Sequence, residues 1–436
     1  MASHGHKSNE PSPVRVGETS RRVGGFTPDG HWPNMEVVEG DSLNEFVCPA
    51  CGAGAPMRLA LPHPSLSMTS DGAILNRPLE KASCLRCGHG FHVTPLRPED
   101  RDAMYSDGYD LGLVDPAADA ARAQGYADCI DESAVTLLGR ALRPRSVVEF
   151  GAGTGALLED LARRWQLREA LGFEAASQLV ASAGQRDQAQ ATIRQGYAEE
   201  ALGEIGGRYD LCLSVNVLEH ALNPEAFLSV SRRALSDGGH VVVICPDGDV
   251  ADTELLFLDH VSSFSQLSLR MVAAAAGLHV IGSIALRGQQ KGFRLTLLNP
   301  DANAPQAPTD IQYLSLAQAR SDFLKGWSEI DDGALEWLNN RPYAMFGAGE
   351  FRNLLRAYAP QLVKGAEAFL TDEPLAATLD DRPWLRANEY ASTHPRTIMV
   401  AAVNPRSWPA VAGRFRGSGA QIVHPYLFSS FLKEQL

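Results

Sequence analysis

Val147-Val148-Glu149-Phe150-Gly151-Ala152-Gly153-Thr154-Gly155 is the stretch whose reading decides the fold. A β-branched run closes on an acidic and an aromatic residue, then breaks into a turn with glycine at every second position. A helical pattern follows: Leu157, Leu158, Leu161, Ala162 and Trp165 recur on one face. The order is strand, tight loop, helix N-terminus. Glycine supplies the positive φ such a loop needs and lets a ligand approach the backbone. A phosphate-cradling P-loop would require Gly-Lys-Ser/Thr at its end, and none is present. Gly151, Gly153 and Ala156 do satisfy the G-x-G-x-x-G/A pattern of a dinucleotide site.

A third nucleoside fits better. Glu149 stands at the strand's end, where its carboxylate can receive an amino group; it would repel a pyrophosphate. Gly155 adds a third glycine where a ligand must lie against the backbone. Glu174 follows twenty-five residues after Glu149, behind Ala170-Leu171-Gly172-Phe173, at the expected tip of a second strand. From there it can grip both ribose hydroxyls, as in either NAD or S-adenosylmethionine (SAM) sites. The cationic methionine end of SAM favours the latter.

The chain has 436 residues, enough for two or three domains. Lys+Arg number 39 and Asp+Glu 52, a net charge of −13, which argues against sequence-independent nucleic-acid binding. No apolar stretch reads as a secretory signal. The best membrane candidate, 271–286, is short and interrupted by Gly277, His279 and Gly282. A cytoplasmic protein, with no nucleic-acid or membrane partner, is the expectation.

Residues 1–40 are polar and aperiodic and read as a disordered tail; His4 and His6 fall within it. Cys48-Pro-Ala-Cys51-Gly and Cys84-Leu-Arg-Cys87-Gly follow, thirty-two residues apart. Each C-x-x-C-G makes a knuckle that aims two sulfurs at one point. Two knuckles give a tetrahedral thiolate site suited to structural Zn2+. His89 and His92 are near enough to be weighed as ligands, though ordinary surface or core histidines are the simpler reading. Cys129, Cys212 and Cys245 sit in apolar settings and read as buried small residues. Tyr105 and Tyr109 flank a turn and either pack a linker or present hydroxyls to a substrate pocket.

Strands are expected at 147–150, 170–174, 192–195, 211–216 and 240–245, with helices between them and a further helix over 117–142. That alternation implies a parallel sheet with helices on both faces. Ligands bind beyond the carboxyl ends of such strands. Glu149, Glu174, the Tyr197-Ala198-Glu199 turn and Asn216 all fall there, Ala198 and Glu199 where an adenine edge would be held. After Asn216 comes Val217-Leu218-Glu219-His220, expected to open a helix, and Asp237-Gly238-Gly239 turns into the next apolar strand. On these residues, 147–246 resembles the class I SAM-dependent methyltransferases, in the branch carrying V-L-E-H.

A two-knuckle module before this core and a glycine-turn domain after it together resemble the bacterial zinc-containing sugar C-methyltransferase family, which acts on nucleotide-linked ketodeoxysugars in antibiotic biosynthesis. That family carries Y-H-E-H-F-S-Y-F-S after the fifth strand; this chain has Phe257-Leu258-Asp259-His260-Val261-Ser262-Ser263-Phe264-Ser265. His260 matches the family's base, Asp259 replaces its glutamate, and Phe257 lacks its tyrosine hydroxyl. The C-terminal third repeats the strand-turn theme in Tyr343-Ala344-Met345-Phe346-Gly347-Ala348-Gly349, with Asp372 twenty-five residues after Gly347 and Arg352 where a third glycine would stand. It reads as Rossmann-like, serving either substrate binding or structure.

The expected architecture is therefore α/β: a zinc-binding module (41–100), a Rossmann-like class I methyltransferase core (101–300) and a C-terminal Rossmann-like domain (301–436). The cofactors implied are SAM and Zn2+, and the partner is a small-molecule acceptor such as a nucleotide-sugar. The oligomeric state stays open. If the acceptor atom is a carbon beside a ketone, a base must remove its proton, and His260 is the candidate. Asp259 or Glu219 would orient it or balance its charge, His220 would donate to the developing enolate oxygen, and Tyr105 would line the pocket. O- or N-methylation is the first alternative. A non-catalytic SAM or nucleotide-sugar binding module and an NAD-dependent enzyme are the others.

Overall fold

The computed structural model describes residues 46–106, 109, 116–184, 190–200, 205–300 and 313–436, without the side chains of Ser106, Pro116 and Glu199. The tail at 1–40 lies outside them.

The central sheet has seven strands: β1 (Ser146–Phe150), β2 (Glu169–Glu174), β3 (Thr192–Gln195), β4 (Tyr209–Val215), β5 (Leu235–Pro246), β6 (His279–Ala285) and β7 (Phe293–Asn299). They lie in the order β6-β7-β5-β4-β1-β2-β3. β1 to β5 are parallel, and β7 inserts antiparallel between β5 and β6. The strand order reverses at β1, flanked by β2 and β4, so a crevice opens above its C-terminal end. Val147 and Val148 are both fully buried because helices cover both faces. One of those helices, Ala156–Trp165, buries Leu157, Leu158, Leu161 and Ala162 along a single stripe, as the 3.6 period requires.

Two local expectations are corrected. Val217-Leu218-Glu219-His220 does not open the next helix: Leu218–His220 is one 3-10 turn, and the helix starts at Pro224, capped by the Asn223 side chain. Proline at the first position needs no N–H donor, so the helix begins there. Asp237-Gly238-Gly239 is absorbed into β5 as an irregularity between Leu235 and His240, not a turn between elements.

The cysteine segment forms a small antiparallel sheet from Met57–Arg58, Lys81–Ser83 and Gly90–His92, and its fourth strand, Ser262–Ser263, comes from beyond β5. A third sheet, parallel except for one edge hairpin, orders Thr378–Leu379, Arg382–Arg386, Ala368–Thr371, Tyr343–Phe346, Ile398–Ala401 and Gln421–Val423. This is the Rossmann-like arrangement read from the second glycine turn. Its core is shared: Leu59 and Met68 of the cysteine segment, Leu255–Leu258 after β5, and Trp327, Phe351 and Tyr358 of the last third form one apolar cluster. Trp327 is fully buried against Phe351, Tyr358 and Tyr426. Trp327→Ala should cost about 3–5 kcal/mol, read as a lowered denaturation midpoint.

Arg352 turns out to be structural. It is buried, pairs with Asp380 and lies over the Phe369 ring. No described helix is long and apolar enough to cross a membrane.

Candidate functional site

A cavity of about 650 Å³ opens above the C-terminal ends of β1, β2 and β4. That is within the usual range for small-molecule sites, roughly 300–1,000 Å³. The glycine loop forms its floor. Gly151, Gly153 and Gly155 have φ of 73°, 54° and 77°. At Gly151 a Cβ would stand 2.1 Å from Val217 Cγ2, so space and backbone both demand glycine there. Gly151→Ala should abolish ligand binding over the loop and lower the melting temperature; titration calorimetry and a thermal scan check both.

Glu149, in register with Gly172 and Leu213, is 2 % exposed, and its Oε2 has no hydrogen-bond partner. Burial, with Glu174 adding to it, pushes its pKa up to about 8. A carboxyl group buried at a cavity wall without a hydrogen-bond partner costs stability. Glu174 also lines the cavity; its oxygens accept from Gly153 N (2.8 Å) and Ala176 N (2.9 Å), which fixes their direction. Each oxygen keeps a lone pair for a ligand hydroxyl. Ala198 lies buried on the cavity wall in the turn Ala198–Glu200, while the side chain of Glu199 is outside the description. Asn216 takes a left-handed conformation (φ 56°) and donates to Tyr126 Oη at 2.9 Å, leaving its Oδ1 free of partners.

The cavity lining also gathers Tyr105, Glu219, His220 and His260. His260 Nδ1 is buried, 3.7 Å from Glu254 Oε2, an ion-pair contact rather than a hydrogen bond. Burial pulls the His260 pKa down, but Glu254, Asp259 and Glu219 overcome it and leave it above its ordinary value. Asp259 does not orient His260. Its carboxylate accepts from Ser70 N (2.8 Å) and Ser70 Oγ (2.5 Å), because its side chain turns toward the cysteine segment. Glu219 is 1 % exposed with Oε2 unpartnered, and burial raises its pKa to about 7.

His220 requires a second correction. Its Nδ1 lies 3.0 Å from the Asp259 carbonyl oxygen, which can only accept, so that nitrogen carries the proton. Burial lowers the ring's pKa to about 4, so it is neutral and its Nε2 is an acceptor, not the enolate donor expected. The Tyr105 hydroxyl, 3.0 Å from the same Nδ1, accepts that proton and keeps its own to donate. Tyr105 and Tyr109 both line the cavity, rings 4.7 Å apart.

Sequence reasoning missed Glu254 and the polar stripe Asp119, Arg122 and Tyr126 on the helix Pro116–Leu138, all of which face the cavity. The stripe's i, i+3, i+7 spacing on an alanine-rich helix was the available signal.

Away from the cavity, the sulfurs of Cys48, Cys51, Cys84 and Cys87 lie within 4.8 Å of one another, with Cys48–Cys87 and Cys51–Cys84 both at 3.6 Å and no disulfide. A tetrahedron with Zn–S bonds of ~2.3 Å has edges of about 3.8 Å, so the donor set fits zinc. His89 and His92 are core residues: His89 packs on Phe91 and Phe264, and His92 Nε2 donates to Leu258 O at 2.8 Å.

Among known proteins, residues 120–282 match the family model described as a methyltransferase domain. Over that stretch the chain is similar to methyltransferase domains. Two curated relatives are similar to part of the chain. The ubiquinone biosynthesis O-methyltransferase of Cereibacter sphaeroides is 34% identical over 101 residues, 23% of this chain and 39% of that protein. Its namesake in Acinetobacter baylyi is 31% identical over 116 residues, 26% of this chain and 46% of that one. The chain thus spans less than half the length of these relatives. A solved SAM-dependent methyltransferase of Thermotoga maritima is 20% identical at a TM-score of 0.33, covering 44% of this chain and 97% of that one.

Proposed function

We propose that the protein is a SAM-dependent methyltransferase that transfers the methyl group to a carbon beside a ketone, in a nucleotide-linked sugar or a related metabolite. The observation that carries the SAM reading is Glu149: a buried, unpaired carboxylate facing a glycine-floored cavity, with Glu174 at the neighbouring strand tip. Glu149 receives the ammonium of the methionine moiety, Glu174 the ribose hydroxyls, and Ala198 and Asn216 border the base. When bound there, SAM supplies a methyl group on a sulfonium, which needs alignment rather than activation.

On this reading His260 takes the proton from the acceptor carbon. Its Nδ1 side faces Glu254, and the ring's other nitrogen reaches the cavity. The Tyr105 hydroxyl donates to the oxygen on which charge develops, replacing His220 in that role. Its pKa is held well above the ordinary value by burial, so it stays protonated through the reaction. The base must be neutral to act, and the His260 pKa lies above the usual histidine value. Turnover should therefore rise with pH through an apparent pKa higher than that of free histidine; a pH–rate profile measures it.

The sugar class of acceptor is supported by the cavity's reach: its lining also takes in Glu350, Asn404 and Arg406, which follow the interior strands Tyr343–Phe346 and Ile398–Ala401 of the C-terminal sheet, leaving room for a substituent beyond the reacting ring. O-methylation is the second reading, favoured by the O-methyltransferase relatives; His260 would then deprotonate a hydroxyl. The four thiolates hold a structural Zn2+, and four free cysteines of this kind suit a reducing compartment such as the cytoplasm. Incubation with methyl-labelled SAM and a panel of nucleotide-linked ketosugars and phenols, followed by mass analysis, tests the reading. Label on a sugar carbon supports it, and label on a phenolic oxygen alone replaces it with the second.

A further inference from the structure

We propose that Glu254 is the positioning residue for His260: its carboxylate holds the Nδ1 edge of the ring so that the other nitrogen faces the cavity. The inference rests on His260 being the base. Glu254 belongs to the 3-10 turn Thr253–Leu256, six residues before His260, and is 6 % exposed. Its Oε1 accepts from Ser263 Oγ at 2.5 Å, which leaves Oε2 directed at the ring.

The carboxylate is itself held from the cysteine segment. Ser263 is paired with Gly90 in the small sheet, and Arg320 donates to Ser263 Oγ at 3.2 Å. The same guanidinium donates to Ser83 Oγ and Gly88 O, both at 2.9 Å, and to Gly248 O at 2.5 Å. Arg320 is fully buried, so this clamp excludes water from the back of the site. Lys81 Nζ donates to the His260 carbonyl at 3.0 Å and fixes the backbone on which the ring turns. The ring is thus placed by Glu254, and Glu254 by Ser263 and Arg320.

Other charged and titratable groups face His260: Asp259 beside it, Glu219 and His220 from the turn Leu218–His220, Lys81, and Glu350 at the start of the helix Glu350–Tyr358. Asp259 is tied to Ser70, and Glu219 makes no ion pair with the ring, so neither can replace Glu254 at Nδ1. A carboxylate at this distance stabilises the imidazolium, and its removal must lower the ring's pKa.

The test is an NMR pH titration of the His260 ring in the full-length protein, with SAM affinity measured alongside. It needs no acceptor, so it stands even if His260 proves not to be the base; that would appear instead as unimpaired turnover in His260→Ala. The expected result is a His260 midpoint displaced to lower pH in Glu254→Gln, with a smaller displacement in Asp259→Asn and SAM affinity retained in both. Glu254→Asp keeps the charge and should fall between wild type and Glu254→Gln; it carries the test if the glutamine variant does not fold. An unchanged midpoint in both Glu254 variants, or a larger displacement in Asp259→Asn, would overturn the proposal.

Discussion

His260→Ala is expected to lower turnover by at least ~10²-fold, and toward ~10⁴-fold if proton removal limits the rate, while SAM binds as before. The separation follows from the layout of the cavity. Glu149, Glu174 and the glycine loop stand at the strand tips, and none of their hydrogen bonds involves His260. His260 stands on a separate segment after β5, pinned by Leu258 N to Met68 O (2.7 Å) and by Lys81 to its own carbonyl. Removing the imidazole therefore takes away the proton acceptor and leaves both the loop and the cofactor end in place. Methyl transfer to the acceptor found by the labelling screen measures one half, and calorimetry with SAM the other. Turnover within a few-fold of wild type would remove His260 from the chemistry and leave the cofactor site untouched.

Stripping zinc, or Cys87→Ser, is expected to be the most damaging change to stability. Structural zinc sites contribute about 10–16 kcal/mol in isolated zinc-finger peptides, comparable with the whole stability of a typical domain, about 5–15 kcal/mol. Here the cysteine segment cannot melt privately. Ser265 Oγ donates to the Cys87 carbonyl, Ser262–Ser263 completes its sheet, and Leu59 and Met68 lie in the core shared with the C-terminal third. Chelation should lower the melting temperature, and turnover should fall with it because the same segment carries the His260 loop. Elemental analysis showing one zinc per chain, followed by calorimetry with and without chelator, checks this. A metal-free protein melting where the native one does would contradict it.

Where side chains repeat with the period of their element, the sequence was legible. Val147–Phe150 and the Leu157–Ala162 stripe announced β1 and its helix, and the glycine spacing marked the loop between them. Glu149 and Glu174 could be placed because a strand's end fixes where its last carboxylate stands. The failures share a cause. Leu218–His220 and Thr253–Leu256 are single 3-10 turns, too short to show a period, so the helix after Asn216 was misjudged and Glu254 was passed over. Asp259, adjacent to His260 in sequence, looked like its partner; neighbours on an extended loop point apart, and the nearer carboxylate came from six residues earlier. The proton on His220 was beyond sequence reasoning altogether, since a backbone carbonyl sets it. The shared core likewise depends on contacts between Met68, Leu256 and Tyr358 that no local pattern reports.

The central claim, that the cavity over Gly151–Gly155 is built for a cationic sulfur nucleoside, is tested most directly by calorimetric titration with SAM near neutral pH in two buffers of different ionisation enthalpy. Glu149, with a pKa of about 8 when unpaired, is largely protonated there and must ionise to meet the ammonium group. The account predicts saturable one-to-one binding whose heat depends on the buffer, from proton release, and a smaller buffer dependence in Glu149→Gln. No heat with SAM, together with binding of NAD, would contradict it.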